Sequence, residues 1–476
     1  MRIQKRAWMV AALLVTLSLI ASACDTGTPA TPTTIAPTAT TQASDQPTAM
    51  AGEPTTITEQ PTTTAGAMQG SMTGKIDFQV FGDPAELAAF QAVVAGFKEA
   101  QPNAEVNVIH VPAQGDHMTK LSTAFSAGNP PDVFIVNYRR YGQFASKGVI
   151  EPAGPLMAES DTISEDLYYP EALNAFKYKG VLQCVPQNVS NLVVYYNKDL
   201  FTQAGLAAPK ANWTWDDFLA AAKALTKDTN GDGKTDVYGL GVEPQIIRVA
   251  PFVWSNGGEI VDNPAAPTSF ALSTGPAREA VQFFMDLSLV HKVVPTEPEA
   301  KSEDNEARFM NGRLGMVLQS RAATPTFREI EGFQWDVAPL PMKAQPASIL
   351  HSDAYCIAKA TKNKDLAWAF VEYAQGVDGQ ERAARLGRTV PSLKSVAQSD
   401  VFLKSSEPPA SSQVFLDAVP VMKLIPVLST WPEIEGIANE ELERAFYGLV
   451  PVDQAIQKIT DDTKALFAEG VADRDK

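Results

Sequence analysis

Five residues, Asn137-Tyr138-Arg139-Arg140-Tyr141, follow the apolar run Val133–Val136 with no spacer. Guanidinium forks hydrogen-bond in pairs, and aromatic rings cover apolar faces, so this stretch has the chemistry of a recognition surface. A solvated loop stapled into the core by its tyrosines is the plainer reading. A second stretch, "DTNGDGKTDVYG", places Asp228, Asn230, Asp232 and Asp236 at alternate positions around Gly233, the spacing of a calcium loop. Gly239 stands where that loop needs its bidentate acid, and a polar surface turn is the other reading. The "GDGKT" inside it is not a phosphate-binding loop. Asp228 occupies the position of the required first glycine, and no strand precedes it. No CxxC, HExxH or GxSxG occurs, and the four His residues are scattered, so zinc, thiol and serine-nucleophile chemistry have no support.

These residues need elements to position them. In "KIDFQVFGDPAELAAFQAVVAGFKEAQP" a strand runs into a helix capped by Asp83, with Pro84 at its first position. Leu87, Phe90, Val94 and Phe97 mark its buried face. "AEVNVIHV" is a second strand, Met118, Leu121 and Phe125 stripe a second helix, and "DVFIV" is a third strand, apolar throughout as when both faces are covered. Alternating strands and helices predict a parallel α/β sheet, whose ligands sit beyond the carboxyl ends of the strands. Phe81-Gly82-Asp83 and Asn137–Tyr141 leave those ends as loops and line one wall of a cleft. Thr214 and Asp217 bracket a further helix with Phe218, Ala222 and Leu225 inward, and "FMNGRLGMVLQ" is helix, glycine stop and strand.

The chain has 476 residues and a formal charge of −16. Arg2, Lys5 and Arg6 precede an apolar run from Trp8 to Ile20, too short to span a bilayer and shaped like an export signal. "LIASAC" resembles the lipobox of bacterial lipoproteins, with Ala21 where Leu is commonest, which implies lipidation at Cys24. The following Thr/Pro/Ala-rich stretch holds almost nothing large and apolar, and is expected to remain a disordered tether. Removing residues 1–23 deletes three cations and no acid, leaving −19, which argues against nucleic acid or anionic lipid as partner. The remaining roughly 400 residues exceed one core and predict two lobes.

"VVYYNKDLFTQAG", then "TWDDFLAAAKALT", "GNPPDVFIV", "FMNGRLGMVLQ" and "KATKNKDLAWAFVEYA" together resemble the family 1 extracellular solute-binding proteins, sugar-capturing lipoproteins of ABC importers that include the maltose-binding proteins. The resemblance covers Lys75 to Phe467. It implies an α/β, two-lobed periplasmic-binding-protein-like fold of type II, with parallel-rich sheets flanked by helices and a hinge of crossing strands. The expected layout is a lipoprotein signal peptide at 1–23 and the tether at 24–74. Lobe one begins at 75–187, lobe two at 188–352, the chain returns to lobe one at 353–410, and C-terminal helices of lobe two fill 411–476. Such lobes close on a ligand by hinge motion.

For a sugar, aromatic faces cover C–H surfaces while charged and amide groups bind hydroxyls. Candidates are Asp83, Asn137, Tyr138, Arg139 and Arg140 on the first wall, and Gln187, Asn188 and Ser190 at the crossover. Lobe two offers Glu243, Arg248, Trp254, Gln319, Ser320, Arg321 and Trp431, and the return strand Ser352 and Asp353. The resemblance ranks Arg139, Arg140, Asn188, Arg321 and Trp431 first. Arg-Arg stands where the maltose-type pattern has an acid and an arginine, so an anionic ligand such as sn-glycerol 3-phosphate, a glycerophosphodiester or a uronate is the alternative to a neutral sugar. Cys184 and Cys356 lie on two crossing segments, where they either pair or remain buried thiols. The expectation is a monomeric, extracytoplasmic, lipid-anchored binder that delivers its ligand to a membrane permease. No cofactor is required beyond a structural calcium at Asp228–Asp236, should that loop bind one. A secreted glycoside hydrolase, the rival class, needs two carboxylates facing one loop cluster, and no such pair stands out.

Overall fold

The computed structural model describes residues 72–404 and 407–476. The signal peptide, Cys24 and nearly all of the tether lie outside them. Two mixed sheets organise the described chain. In the first the strand order is Ala104–Val111, Gly74–Phe81, Val133–Asn137, Asp353–Ala358, Ile150–Glu151, with Val185–Pro186 also paired to Asp353–Ala358. The first three strands are parallel, while Asp353–Ala358 runs antiparallel to Val133–Asn137 with Asp353 opposite Asn137. In the second the order is Met422–Lys423, Ser348–His351, Ser190–Asn197, Leu314–Ser320, Tyr238–Gly241, and Trp335–Ala338 also pairs with Ser190–Asn197. Tyr238–Gly241 and Leu314–Ser320 are parallel, and Ser190–Asn197 runs against its neighbours. Each lobe thus holds one antiparallel strand delivered by a chain passage from the other. Those passages, at 186–190 and 351–353, are the hinge.

Local chemistry explains the elements. Asp83 caps the helix Pro84–Ala100 by accepting from Glu86 N at 2.9 Å. Its buried face is Ala89, Phe90, Val93 and Phe97, wider than the expected stripe, with Leu87 and Val94 only partly covered. The helices Lys364–Gln375 and Val377–Arg385 pack on its flank and pull that face round. Thr214 and Asp217 form a reciprocal capping box at the start of Trp215–Leu225. Gly239 lies so close to this helix that a Cβ would meet Ala222 O at 1.9 Å. Gly312 stops the short helix Asn305–Met310 with φ of 69° before the strand Leu314–Ser320.

The Asn137–Tyr141 loop is a helix instead. Asn137 ends its strand and at once caps Tyr138–Ala145, its Oδ1 accepting from Arg139 N at 3.1 Å. Tyr138 and Tyr141 are wholly buried, Tyr141 packing on Phe176 at 5.3 Å between ring centroids. A disulfide joins Cys184 and Cys356, whose Cα atoms are 4.5 Å apart, beside the short strand Val185–Pro186. No helix among the described residues is long and apolar enough to cross a membrane.

Candidate functional site

The first wall begins at the Asn137 cap. The same Oδ1 accepts from Arg139 Nε at 3.2 Å, and Asn137 Nδ2 donates to Asp353 Oδ1 at 3.0 Å. Arg139 is thereby aimed at Glu435, with which it forms an ion pair. Arg140 Nη2 lies 3.4 Å from the other carboxylate oxygen of Glu435. Glu435 sits one turn after Trp431 on the helix Trp431–Phe446, and its side chain is 4% exposed. Its position four residues from Trp431, on one helix face, was the available sequence signal. Burial lowers the Arg140 pKa, against the pull of Glu435.

A groove of about 670 Å³ opens beside this cluster. Its walls are the helix Gln114–Ser126, the helix Tyr138–Ala145 and Pro432. Gln114, Thr119, Ser122, Arg140 and Gln143 supply polar groups, and Met118 and Pro432 supply apolar surface. That mixture, in a concavity of ligand-binding size, suits a molecule with both hydroxyls and apolar faces. Met118 was expected in the core, and of the candidates only Arg140 lines this groove.

The second wall is also charge-paired. Arg248 Nε donates to Glu243 Oε2 at 3.0 Å and its Nη2 to Gln319 Oε1 at 3.3 Å, while Asn305 Nδ2 donates to Glu243 Oε1 at 3.0 Å. Arg248 Nη1 and His351 Nε2 are shielded from solvent without a hydrogen-bond partner. Arg248 and Arg139 both act on the ring of His351, whose pKa is pushed well down, first by burial and then by these two cations. One cation of each wall therefore acts on the same buried ring.

The other candidates lie elsewhere. Gln187, Asn188, Ser190, Ser352 and Asp353 tie the hinge together. Asn188 Oδ1 accepts from Asp353 N at 2.8 Å, Asn188 Nδ2 donates to Ser190 Oγ at 3.0 Å, Ser352 Oγ to Asn188 O at 2.6 Å, and Gln187 N to Asp353 O at 2.9 Å. Burial raises the Asp353 pKa, opposed by Asn137 and the nearby Arg388 and Arg139. Asp83 Oδ2 accepts from Arg388 Nη1 at 2.6 Å. Ser320 caps a single turn at Arg321–Ala323, its Oγ accepting from Ala322 N. Tyr138 is interior, and Trp254 is buried on its helix with Lys423 Nζ 5.9 Å from its ring.

Two leading candidates are core residues. Trp431 is fully buried near Phe270 and Phe467, at 6.1 and 6.3 Å, with Nε1 unpartnered. Arg321 is 1% exposed between Phe402 and Phe415, donating to Gly387 O at 2.8 Å and Ser412 Oγ at 3.1 Å. Burial lowers its pKa to about 10. A guanidinium with a long apolar stem fills such a slot as readily as it binds ligand.

The acidic loop turns on itself. Asp228 accepts from Gly231 N and Gly233 N at 2.7 and 2.8 Å, Asn230 Oδ1 from Asp232 N, and Asp232 Oδ1 from Lys234 N. Asp236 accepts from the amide and hydroxyl of Thr229 and from Asn230 Nδ2, which holds its pKa down. These are turn-forming bonds. Among the described residues no group of three or more His, Cys, Asp or Glu is placed to hold a metal.

The profile of a family described as bacterial extracellular solute-binding protein matches residues 82–381. The chain is similar to the diacetylchitobiose-binding protein of Streptomyces coelicolor, with 25% identity over 77% of this chain and 84% of that one. The maltotriose-binding protein of Pyrococcus abyssi is 27% identical over 61% of this chain and 60% of its own length. An ABC substrate-binding protein of Listeria monocytogenes, solved in complex with cycloalternan, superposes with a TM-score of 0.75 at 27% identity, covering 83% of this chain and 99% of that one.

Proposed function

The chain belongs to the bacterial extracellular solute-binding proteins, with their two-lobed type II fold, and from that premise we propose that it captures a neutral sugar or oligosaccharide between its lobes. One observation carries the choice of ligand. Each arginine at the two walls faces a carboxylate: Arg139 and Arg140 face Glu435, Arg248 faces Glu243, and Arg388 faces Asp83 and Glu86. Counted over both walls, four arginines meet four carboxylates, which reduces the surplus cation that would favour a phosphate or uronate. An anion would have to compete with buried carboxylates already in place. A neutral polyhydroxylated ligand needs only paired donors and acceptors and an apolar flank. The sugars named for the three relatives described above are oligosaccharides, and the open groove beside Arg140 can take more than one ring.

The same reading includes an export signal at 1–23, lipidation at Cys24, the 24–74 tether, a monomeric body and handover of the closed complex to a membrane permease. It includes no chemical change to the ligand, in keeping with relatives that are binding proteins. Titration calorimetry with maltotriose, diacetylchitobiose and sn-glycerol 3-phosphate tests it. Binding of at least one saccharide, recovered intact, is expected. Tight binding of the phosphate alone, or hydrolysis of a saccharide, would overturn it.

A further inference from the structure

The segment 387–392, within the expected return to lobe one, bonds both to lobe two and to the first crossover. Gly387 O accepts from Arg321 Nε at 2.8 Å in lobe two. Val189 N donates to Val390 O at 2.8 Å, and Val390 N to Ser190 Oγ at 3.2 Å, so the segment lies alongside the first crossover. Between these anchors Arg388 reaches both ways. Its Nη2 donates to Glu86 Oε2 at 2.8 Å and its Nη1 to Asp83 Oδ2 at 2.6 Å, both at the start of the first helix of lobe one. Nη1 also donates to Ala322 O at 3.0 Å, in the turn that follows the strand Leu314–Ser320 of lobe two. The side chain is 15% exposed.

We propose that Arg388 is a cross-lobe clasp, a positioning residue that stabilises the closed arrangement of the two lobes before any ligand is bound. The argument is geometric. Opening must separate Ala322 from Asp83 and Glu86, and whichever lobe carries Arg388 along, one set of its charge-assisted or carbonyl bonds breaks. The surroundings favour the cation in this place. Glu306 of lobe two also feels Arg388, which opposes the rise that burial and Glu243 impose on its pKa. The pKa of Arg388 itself is raised by Glu86, Asp83 and Asp353 against the lowering effect of burial. A cation shared by two carboxylates of lobe one and a backbone carbonyl of lobe two holds the lobes together as a crosslink would.

The inference rests on the binding-protein reading only in assuming that the lobes open. Small-angle X-ray scattering of the ligand-free full chain tests it without any sugar, comparing wild type with Arg388→Met and Arg388→Lys. The Met variant is expected to show a larger radius of gyration and a broader pair-distance distribution at an unchanged far-ultraviolet spectrum, with the Lys variant between the two. In calorimetry on any saccharide that binds wild type, the Met variant should weaken affinity about three- to tenfold. Superimposable scattering curves for wild type and both variants would overturn the clasp. Should Arg388→Met fail to fold, the Lys variant decides alone, and wild-type scattering from it is the overturning result. Absence of saccharide binding by wild type would sink the proposed function and leave the scattering comparison standing.

Discussion

On the proposed reading, Glu435 sets what the paired arginines can recognise. Its carboxylate, 4% exposed, is shared by two guanidinium groups beside the groove and offsets one of their two charges. Glu435→Gln should weaken the best saccharide by about tenfold, roughly 1.4 kcal/mol, and strengthen sn-glycerol 3-phosphate relative to it. Calorimetry on both ligands checks this, and an unchanged preference would remove Glu435 from the site. Arg321 behaves in the opposite way. Losing its stacking between two phenylalanines and its bond to Gly387 O should cost about 2–4 kcal/mol of stability in Arg321→Ala, read by urea unfolding. His117 carries a pH prediction. Burial pushes its pKa from 6.5 to about 4, with Nε2 2.8 Å from Ile135 O and Nδ1 3.3 Å from Gln79 Nε2. Its folded value lies below its unfolded one, so its stability contribution is complete above pH 6.5 and lost as pH falls through 4. Glu86, raised to about 7 chiefly by burial, has the opposite slope, its contribution complete below 4.5 and lost as pH rises through 7. His117→Gln should therefore flatten the acid side of the stability profile by about 1–3 kcal/mol, measured by denaturant titration between pH 4 and 7.

At the scale of elements, the hinge is where small changes reach far. The disulfide Cys184–Cys356 closes a loop spanning 172 residues and fixes the first crossover against the return strand. Cys356→Ser should lower unfolding free energy by about 2–5 kcal/mol, read by chemical denaturation under non-reducing conditions. Gly142 is a second sensitive point, because a Cβ there would sit 2.8 Å from Leu428 O, in the loop before Trp431. The helix carrying Arg139 and the loop leading to Glu435 meet backbone to backbone, and only glycine permits that approach. These positions were partly legible. Apolar alternation and capping signals located the strands and most helices, since those signals are local. The Tyr138–Ala145 helix escaped because its cap, Asn137, is also the last residue of a strand, so strand end and helix start share one residue.

For the whole molecule, family membership and two sheets linked by chain crossings point to closure as the functional motion. A saccharide that binds only the closed form should raise the melting temperature in proportion to the logarithm of its concentration, with about 2.7 kcal/mol of added stability at a hundredfold excess over Kd. A flat response across a panel of neutral oligosaccharides would argue against capture by closure. Sequence by itself determined the class: alternating strands and helices, an apolar third strand, scattered histidines and an ordered series of motifs set the fold and left enzyme chemistry without support. It also determined which residues are polar enough to recognise a ligand. Tertiary structure alone decided what those residues do. Arg139 meets Glu435 across 296 positions of chain and Arg388 meets Glu86 across 302, whereas Arg321 and Trp431, equally suited by type, turn into aromatic cores. The reason is physical. Residue type sets which bonds a side chain can make, but burial and partner are properties of neighbours that only folding brings near, and an arginine's role depends on whether a carboxylate or a pair of rings is waiting for it.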